Sequence, residues 1–322
     1  MAKMVSKLGP YPKTGYDRFQ DVTLMARNGP STMQRLLFED VAARTPLKGQ
    51  LLKWIGNKQR FAAEIVSYFP SRFGRYFEPF LGSGAVLARL APKNALGSDN
   101  FAPLIEIWQT LKSSPKTLKA WYAERWHAYF EGDRASEYKR LRASYNAAPN
   151  GADLLFLCRA CYGGVVRFRK ADGHISTQIG IHDPISPESF NRRVDEWRRR
   201  TAGAEFFVMD YERAMDKAHE GDVIYCDPPY SHSQSILYGA QDFDLAHLLE
   251  AIERCKARGV RVALSIDGTK RSGTHICNLP IPERLFEREV SISCGRSMLK
   301  RFQMNGRSLE GESVTDRLFL TY

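Results

Sequence analysis

Residues 222–226, Asp-Val-Ile-Tyr-Cys, form a short apolar run that stops against Asp227, Pro228 and Pro229. Two successive prolines supply no backbone N–H, hold φ fixed, and bias each preceding residue toward extended geometry. The run therefore reads as a strand, and the loop after it cannot become helix. A helical pattern over 245–258 and another apolar run over 259–266 follow, which is the alternation of an open α/β sheet. It opens earlier in the chain, with an amphipathic helix expected over 58–69 and a strand over 75–80. The glycine turn Leu81-Gly82-Ser83-Gly84 comes next, then a helix over 85–90 and a strand from 95 that ends at Asp99. Strands at 205–209, 286–293 and 317–322 complete the expectation of a doubly wound, Rossmann-like α/β sheet.

Residues 113–204 break the alternation and read as helical, so one sheet domain, 46–112 and 205–322, is expected to carry an inserted helical module. Residues 1–45 are rich in Gly, Pro and Ser and read as an N-terminal arm, with a short helix possible only over 33–43. The net charge of +11 is concentrated away from the sheet: 113–204 hold 16 basic and 10 acidic residues, and 1–50 hold 8 and 4. That distribution fits an anionic polymer gripped by the module and the arm, or a solvated basic surface. No apolar run approaches the roughly 20 residues of a membrane span, and the N-terminal residues lack a secretory pattern, so a soluble, cytoplasmic protein is expected. Cys158 and Cys161 have metal-ligand spacing without a matching second pair; both read as buried helix residues, and no metal is expected.

Gly82 and Gly84 let the backbone turn tightly and approach a ligand at the start of a helix. Asp99, at the tip of the next strand, is placed to accept hydrogen bonds from ribose hydroxyls. Leu87 stands where a dinucleotide fingerprint would want a third glycine, which favours an adenosine ligand without phosphates. The same residues would also serve a plain strand-to-helix turn with a capping Asp. Beyond the strand over 222–226, Asp227 and the Pro228 carbonyl form a stiff pair of acceptors and Tyr230 a flat face. They suit an exocyclic amine, which in DNA requires the base to be flipped from its stack. Asp267 follows an expected strand end and reads as a turn cap.

Five runs occur together: Lys53-Trp54-Ile55-Gly56-Asn57-Lys58, Glu78-Pro79-Phe80-Leu81-Gly82-Ser83-Gly84, Asp99-Asn100, Tyr162-Gly163-Gly164-Val165-Val166-Arg167-Phe168 and Asp227-Pro228-Pro229-Tyr230. In this order the chain, from about Leu51 onward, resembles the Dam-type (D12 class, alpha group) DNA adenine-N6 methyltransferases. The resemblance implies an S-adenosylmethionine (AdoMet) dependent methyltransferase sheet in which residues 113–204 are a target-recognition, DNA-binding domain. It implies cofactor contacts from Trp54, Lys58, Glu78, Pro79, Phe80, Gly82, Gly84, Asp99 and Asp227. Asp227, Pro228, Pro229 and Tyr230 become the catalytic run, which takes the N6 amine of a flipped adenine and stacks its ring.

Lys53, Tyr162 and Arg167 are implied as DNA contacts, Arg167 as an arginine reading a base through a bidentate pair or touching a phosphate. Gly163 stands where family members often carry Asn, and Ile175-Ser176-Thr177-Gln178 where they carry a Phe-Asn-Val-Pro-like run. GATC is therefore not carried over as the target. Duplex DNA is the expected partner, with a cognate restriction endonuclease as a possible companion in restriction-modification, and the protein is expected as a monomer or weak dimer. The same chemistry on cytosine N4 or RNA adenine, and a nucleic-acid-binding protein that has lost turnover, are the competing expectations.

Overall fold

The computed structural model describes residues 46–229, 243–270, 275–276, 281–282, 284–296 and 313–322. The expected arm lies outside them. β1 (Tyr76–Glu78), β2 (Ala95–Asp99), β3 (Ala204–Val208), β4 (Val223–Cys226) and β5 (Arg261–Lys270) run parallel, in the spatial order β3-β2-β1-β4-β5. The short β6 (His275–Ile276) pairs antiparallel with the end of β5. β7 (Arg288–Arg296) and β8 (Ser313–Leu320) extend the other edge as an antiparallel pair, with β8 against β5.

The chain leaves β1 outward through β2 and β3, then crosses to the opposite side of β1 to make β4. The order of the sheet therefore reverses between β1 and β4. In an open α/β sheet such a reversal leaves a crevice beyond the carboxyl ends of the strands.

All residues of β1, β2 and β4 are buried, as expected for parallel strands covered on both faces. Their side chains alternate between two cores. Tyr76, Val223 and Tyr225 enter one, and Phe77, Ile224 and Cys226 the other. The first core is covered by α1 (Ala62–Ser67), α2 (Ala85–Leu90) and α3 (Ala102–Ser113), and it continues into the helical segment. There α4 (Pro115–Glu131) and α5 (Arg134–Ala147) contribute Tyr122, Tyr129, Tyr138 and Tyr145, and α6 (Gly151–Ala160) is buried along its whole length. α7 (Pro187–Arg200) adds Phe190, Val194 and Trp197. α8 (Tyr211–Met215) and α9 (Leu245–Ala257) cover the second core through Ala214, Met215, Leu248, Ile252 and Cys255.

Three local expectations are corrected. The helix expected from Lys58 begins only at Ala62, because residues 58–61 form a turn in which Asn57 Oδ1 caps the Gln59 amide at 2.8 Å and Lys58 is drawn to carboxylates. Asp267 does not follow a strand end: it lies inside β5, in register with Asp316 of β8. Cys158 is a buried helix residue, but Cys161 sits past the end of α6 in extended geometry, paired as an isolated bridge with Ile179. A second bridge, Phe168 to Ile175, makes residues 161–179 a short hairpin within the otherwise helical segment. Its strands are too short and irregular for alternation to have marked them. Among the described residues no helix is long and apolar enough to cross a membrane.

Candidate active site

At the carboxyl ends of β1, β2 and β4 lies a cavity of about 240 Å³. Nearly every cofactor and catalytic residue expected from sequence lines it: Trp54, Lys58, Glu78, Pro79, Phe80, Gly82, Asp99, Asp227, Pro228 and Pro229. Tyr230 lies outside the described residues. Gly84 is not on the wall. At φ +59° it would place a Cβ 2.8 Å from the Trp108 ring, so this glycine admits the indole of α3 against the turn. Gly82, at φ +45°, faces Trp54 and the cavity. Trp108 Nε1 donates to the Gly82 carbonyl at 3.2 Å, fixing the turn from below.

The strand ends are stitched to one another. The Leu81 amide donates to the Ser98 carbonyl at 2.9 Å, and the Met209 amide to the Asp99 carbonyl at 3.1 Å. Asp99 accepts from the amides of Gly82 at 3.2 Å and Phe101 at 3.1 Å. These bonds orient its carboxylate over the glycine turn.

Residues that the sequence reading did not single out complete one end of the cavity. Phe80 stacks on Tyr211 at 5.1 Å and meets Phe243 edge-on at 5.9 Å. Asp210 lines the wall beside them while capping α8 through the Glu212 amide. A signal existed: Asp210 follows a strand, as Asp99 and Asp227 do, but an Asp before a helix also reads as an ordinary cap.

At the other end stand the buried charges. Lys58 Nζ lies 3.1 Å from Asp227 Oδ1 and 2.9 Å from Asp316 Oδ2. Burial alone would lower the pKa of this ammonium, but Asp227 and then Asp316 outweigh it and hold the group well above its usual range. Asp316 comes from β8, 258 residues away, and no local spacing announces it. Glu78, also buried, accepts from the Tyr76 hydroxyl at 2.7 Å. Burial drives its carboxyl up to about 8, against that hydrogen bond, and the charge of Asp227 pushes the same way. Near neutral pH the group therefore holds a proton, and Lys58 is shared by two carboxylates.

None of the three expected DNA contacts lines the cavity. The Lys53 side chain instead lies along Gly164, whose added Cβ would stand 3.5 Å from it, in the 3-10 turn Tyr162–Gly164. Tyr162 is exposed on that turn. Arg167 sits in the following strand of the hairpin, its amide bonded to Thr177 Oγ1 at 2.7 Å. The segment leading to Lys53 is clasped by the helices: Trp197 Nε1 donates to the Gly49 carbonyl, Arg193 to that of Gln50, and Arg159 to those of Gln50 and Leu51. An aromatic chain joins the hairpin to the cavity wall, from Phe168 to Phe101 at 5.5 Å and from Phe101 to Trp54 at 6.1 Å. Among the described residues no cluster of His, Cys, Asp and Glu could hold a metal ion.

The chain is similar in sequence to known proteins. A DNA N-6-adenine-methyltransferase of Escherichia phage P1 is 27% identical over 293 residues, covering 86% of this chain but only 37% of the phage protein. The retron Ec67 DNA adenine methylase of Escherichia coli is 27% identical over 77% of this chain and 87% of its own. A type II methyltransferase of Lactococcus lactis subsp. cremoris is 24% identical over 66% and 79%. Residues 54–279, which include the cavity wall and the hairpin, match the model of the D12 class N6 adenine-specific DNA methyltransferases, and the chain belongs to that family.

Proposed function

We propose that this protein transfers a methyl group from AdoMet to N6 of an adenine flipped out of duplex DNA. The observation that carries the reading is the convergence of Asp99, Glu78 and Asp227, from the ends of three neighbouring strands, on one cavity with an aromatic wall. The residues fit an adenosine-containing cation. Phe80, Tyr211 and Phe243 offer faces and an edge to a purine, the oriented Asp99 carboxylate suits ribose hydroxyls, and Glu78 and Asp227 bring acidic groups to the opposite end. Trp54, Lys58, Pro79 and Gly82 would complete the holding set. When bound, AdoMet supplies an activated methyl group on a sulfonium centre.

The chain's own residues then need to present the nucleophile. Asp227 accepts a hydrogen bond from the adenine amine and the Pro228 carbonyl accepts a second, which raises electron density on nitrogen where positive charge develops. The two prolines hold those acceptors rigidly, so little reorganisation is required at the moment of transfer. An aromatic amine is too weakly acidic for a carboxylate to deprotonate it beforehand, so its proton leaves after the nitrogen has become cationic. Tyr230 would stack on the flipped base.

Residues 113–204 act in this reading as the recognition module. Its exposed hairpin offers Tyr162 as a ring to insert or stack and Arg167 as a base-reading side chain, beside Lys53. Sequencing of methylated adenines in DNA from cells expressing the protein, beside cells expressing Asp227→Ala, tests the function and yields the target sequence. Adenine left unmodified by the wild-type protein would overturn it.

A further inference from the structure

We propose that Thr177 is a positioning residue for target recognition: its buried hydroxyl sets the backbone at Arg167 and thereby aims that side chain at the base it reads. The inference rests on the recognition role proposed above for the hairpin and adds a member to it. The bridges Cys161 to Ile179 and Phe168 to Ile175 enclose six residues, 162–167, on one side of the hairpin and three, 176–178, on the other. Unequal sides cannot be joined by an unbroken backbone ladder, so another group has to satisfy the polar backbone in between. Thr177 supplies it. The residue is only 5% exposed. Its Oγ1 accepts from the Arg167 amide at 2.7 Å and donates to the Val165 carbonyl at 3.2 Å, so a single hydroxyl closes the gap on either side of Val166.

Thr177 is itself anchored. Tyr138, Arg142 and Asn146 recur every four residues on α5 and so share one face. That face grips three successive residues of the hairpin. Asn146 accepts from the Ile175 amide at 2.8 Å and donates to its carbonyl at 3.2 Å. Arg142 donates to the Ser176 carbonyl at 3.4 Å and to the Thr177 carbonyl at 3.0 Å, where the Tyr138 hydroxyl also donates at 3.0 Å. On the facing side Val166 and Phe168, the neighbours of Arg167, are packed into the first core, and the Arg167 carbonyl accepts from the Ser176 amide at 3.0 Å. Both backbone polar groups of Arg167 therefore lead to residues 176–177, and through them to α5. A bidentate pair with a base edge demands narrow geometry, and a long side chain delivers it only from a fixed Cα. Valine in place of Thr177 would keep the shape but take that partner from the Arg167 amide and the Val165 carbonyl. Thr177 is buried and would touch no base, which separates its role from that of Arg167.

The test uses the full chain and a DNA library in which each base pair of the methylated target is varied singly. The kcat/KM for each member is measured, with Tm in parallel. The base pair at which Arg167→Ala relaxes preference marks the position that Arg167 reads. Thr177→Val is expected to lower selectivity at that same base pair roughly 5- to 50-fold, while selectivity at the other base pairs stays within about twofold of wild type. Thr177→Ser, which restores the hydroxyl, is expected to recover most of the loss. In an Arg167→Ala background, Thr177→Val should change selectivity little further, because the two residues act as one unit. Tyr138→Phe keeps the buried ring but removes a bond to the Thr177 carbonyl; it carries the same expectation at smaller size and serves if the Val variant is unstable. Undiminished selectivity in the folded Val variant, or in the Phe variant where Val does not fold, would overturn the positioning role. So would a loss spread evenly over all base pairs, a Ser variant as relaxed as Val, or an Arg167→Ala variant whose preference changes at no single position. Those outcomes leave methyl transfer standing, whereas a wild-type protein that methylates no adenine sinks the function itself and this role with it.

Discussion

The cleft at the ends of β1, β2 and β4 and the hairpin of residues 161–179 carry their charges in opposite ways. In the cleft Lys58, Glu78 and Asp99 are buried, as is Asp316 behind Lys58, and each is held by a named partner. On the hairpin Arg169, Lys170 and Asp172 are exposed, and the ion pair that Arg169 makes with Asp172 is a surface one. Burial makes the first set strongly coupled, able to shift pKa values and preorganise a reaction. Exposure leaves the second set weakly coupled to one another and available to a polymer. Chemistry requires the former and recognition the latter, so substitutions should behave differently in the two places.

The largest expected effect is in the cleft. Asp227→Ala should reduce methyl transfer by at least roughly 10²-fold while AdoMet still binds by calorimetry; retained activity would remove Asp227 from the reaction. The same region should impose a pH dependence. Because the Glu78 carboxyl is pushed up to about 8, a cationic ligand that needs it ionised must displace a proton at lower pH. AdoMet affinity should then rise with pH up to about 8, by up to roughly tenfold per unit, and level off above. Glu78→Gln should flatten that curve, and an equally steep curve in the variant would show that another group is responsible. For the free protein the sign is reversed. The folded state binds this proton more tightly than the unfolded chain, so the contribution of Glu78 to stability is full below about pH 4.5 and is lost as pH climbs through 8.

Arg167→Ala should leave the chemical step intact and relax preference at one base pair by about 5- to 150-fold, the range of a lost bidentate contact. Methylation of a library of single-base variants measures it, and a uniform loss across all sequences would make the residue a phosphate contact. The smallest effect should be purely structural. Gly84→Ala meets both a left-handed backbone and the Trp108 ring, so it should destabilise the fold by about 1–3 kcal/mol. A thermal melt would read it, and an unchanged Tm would show that Trp108 can yield.

The parallel strands β2 and β4 were legible in the sequence because their apolar runs end at acids, Asp99 and Asp227; β1 was legible too, but as a longer strand over 75–80 with Glu78 inside it, whereas the strand ends at Glu78. The glycine turn was legible too, although Gly84 turned out to face an indole and not the cavity. The onset of α1 was not legible, because Lys58 is pulled out of helix by partners far along the chain. The hairpin was also hidden, its two bridges being too sparse to impose a period.

What the amino-acid sequence determined by itself was the α/β alternation, Asp99 and Asp227 at two of its strand ends and the proline-stiffened loop, since each follows from the conformational limits of neighbouring residues. Only the tertiary structure decided that Lys58 would be shared between Asp227 and Asp316, that burial would push the Glu78 carboxyl up to about 8, and that Phe80, Tyr211 and Phe243 would share a wall. Those outcomes depend on desolvation and on distances across the sheet, and neither is a property of any short stretch of chain.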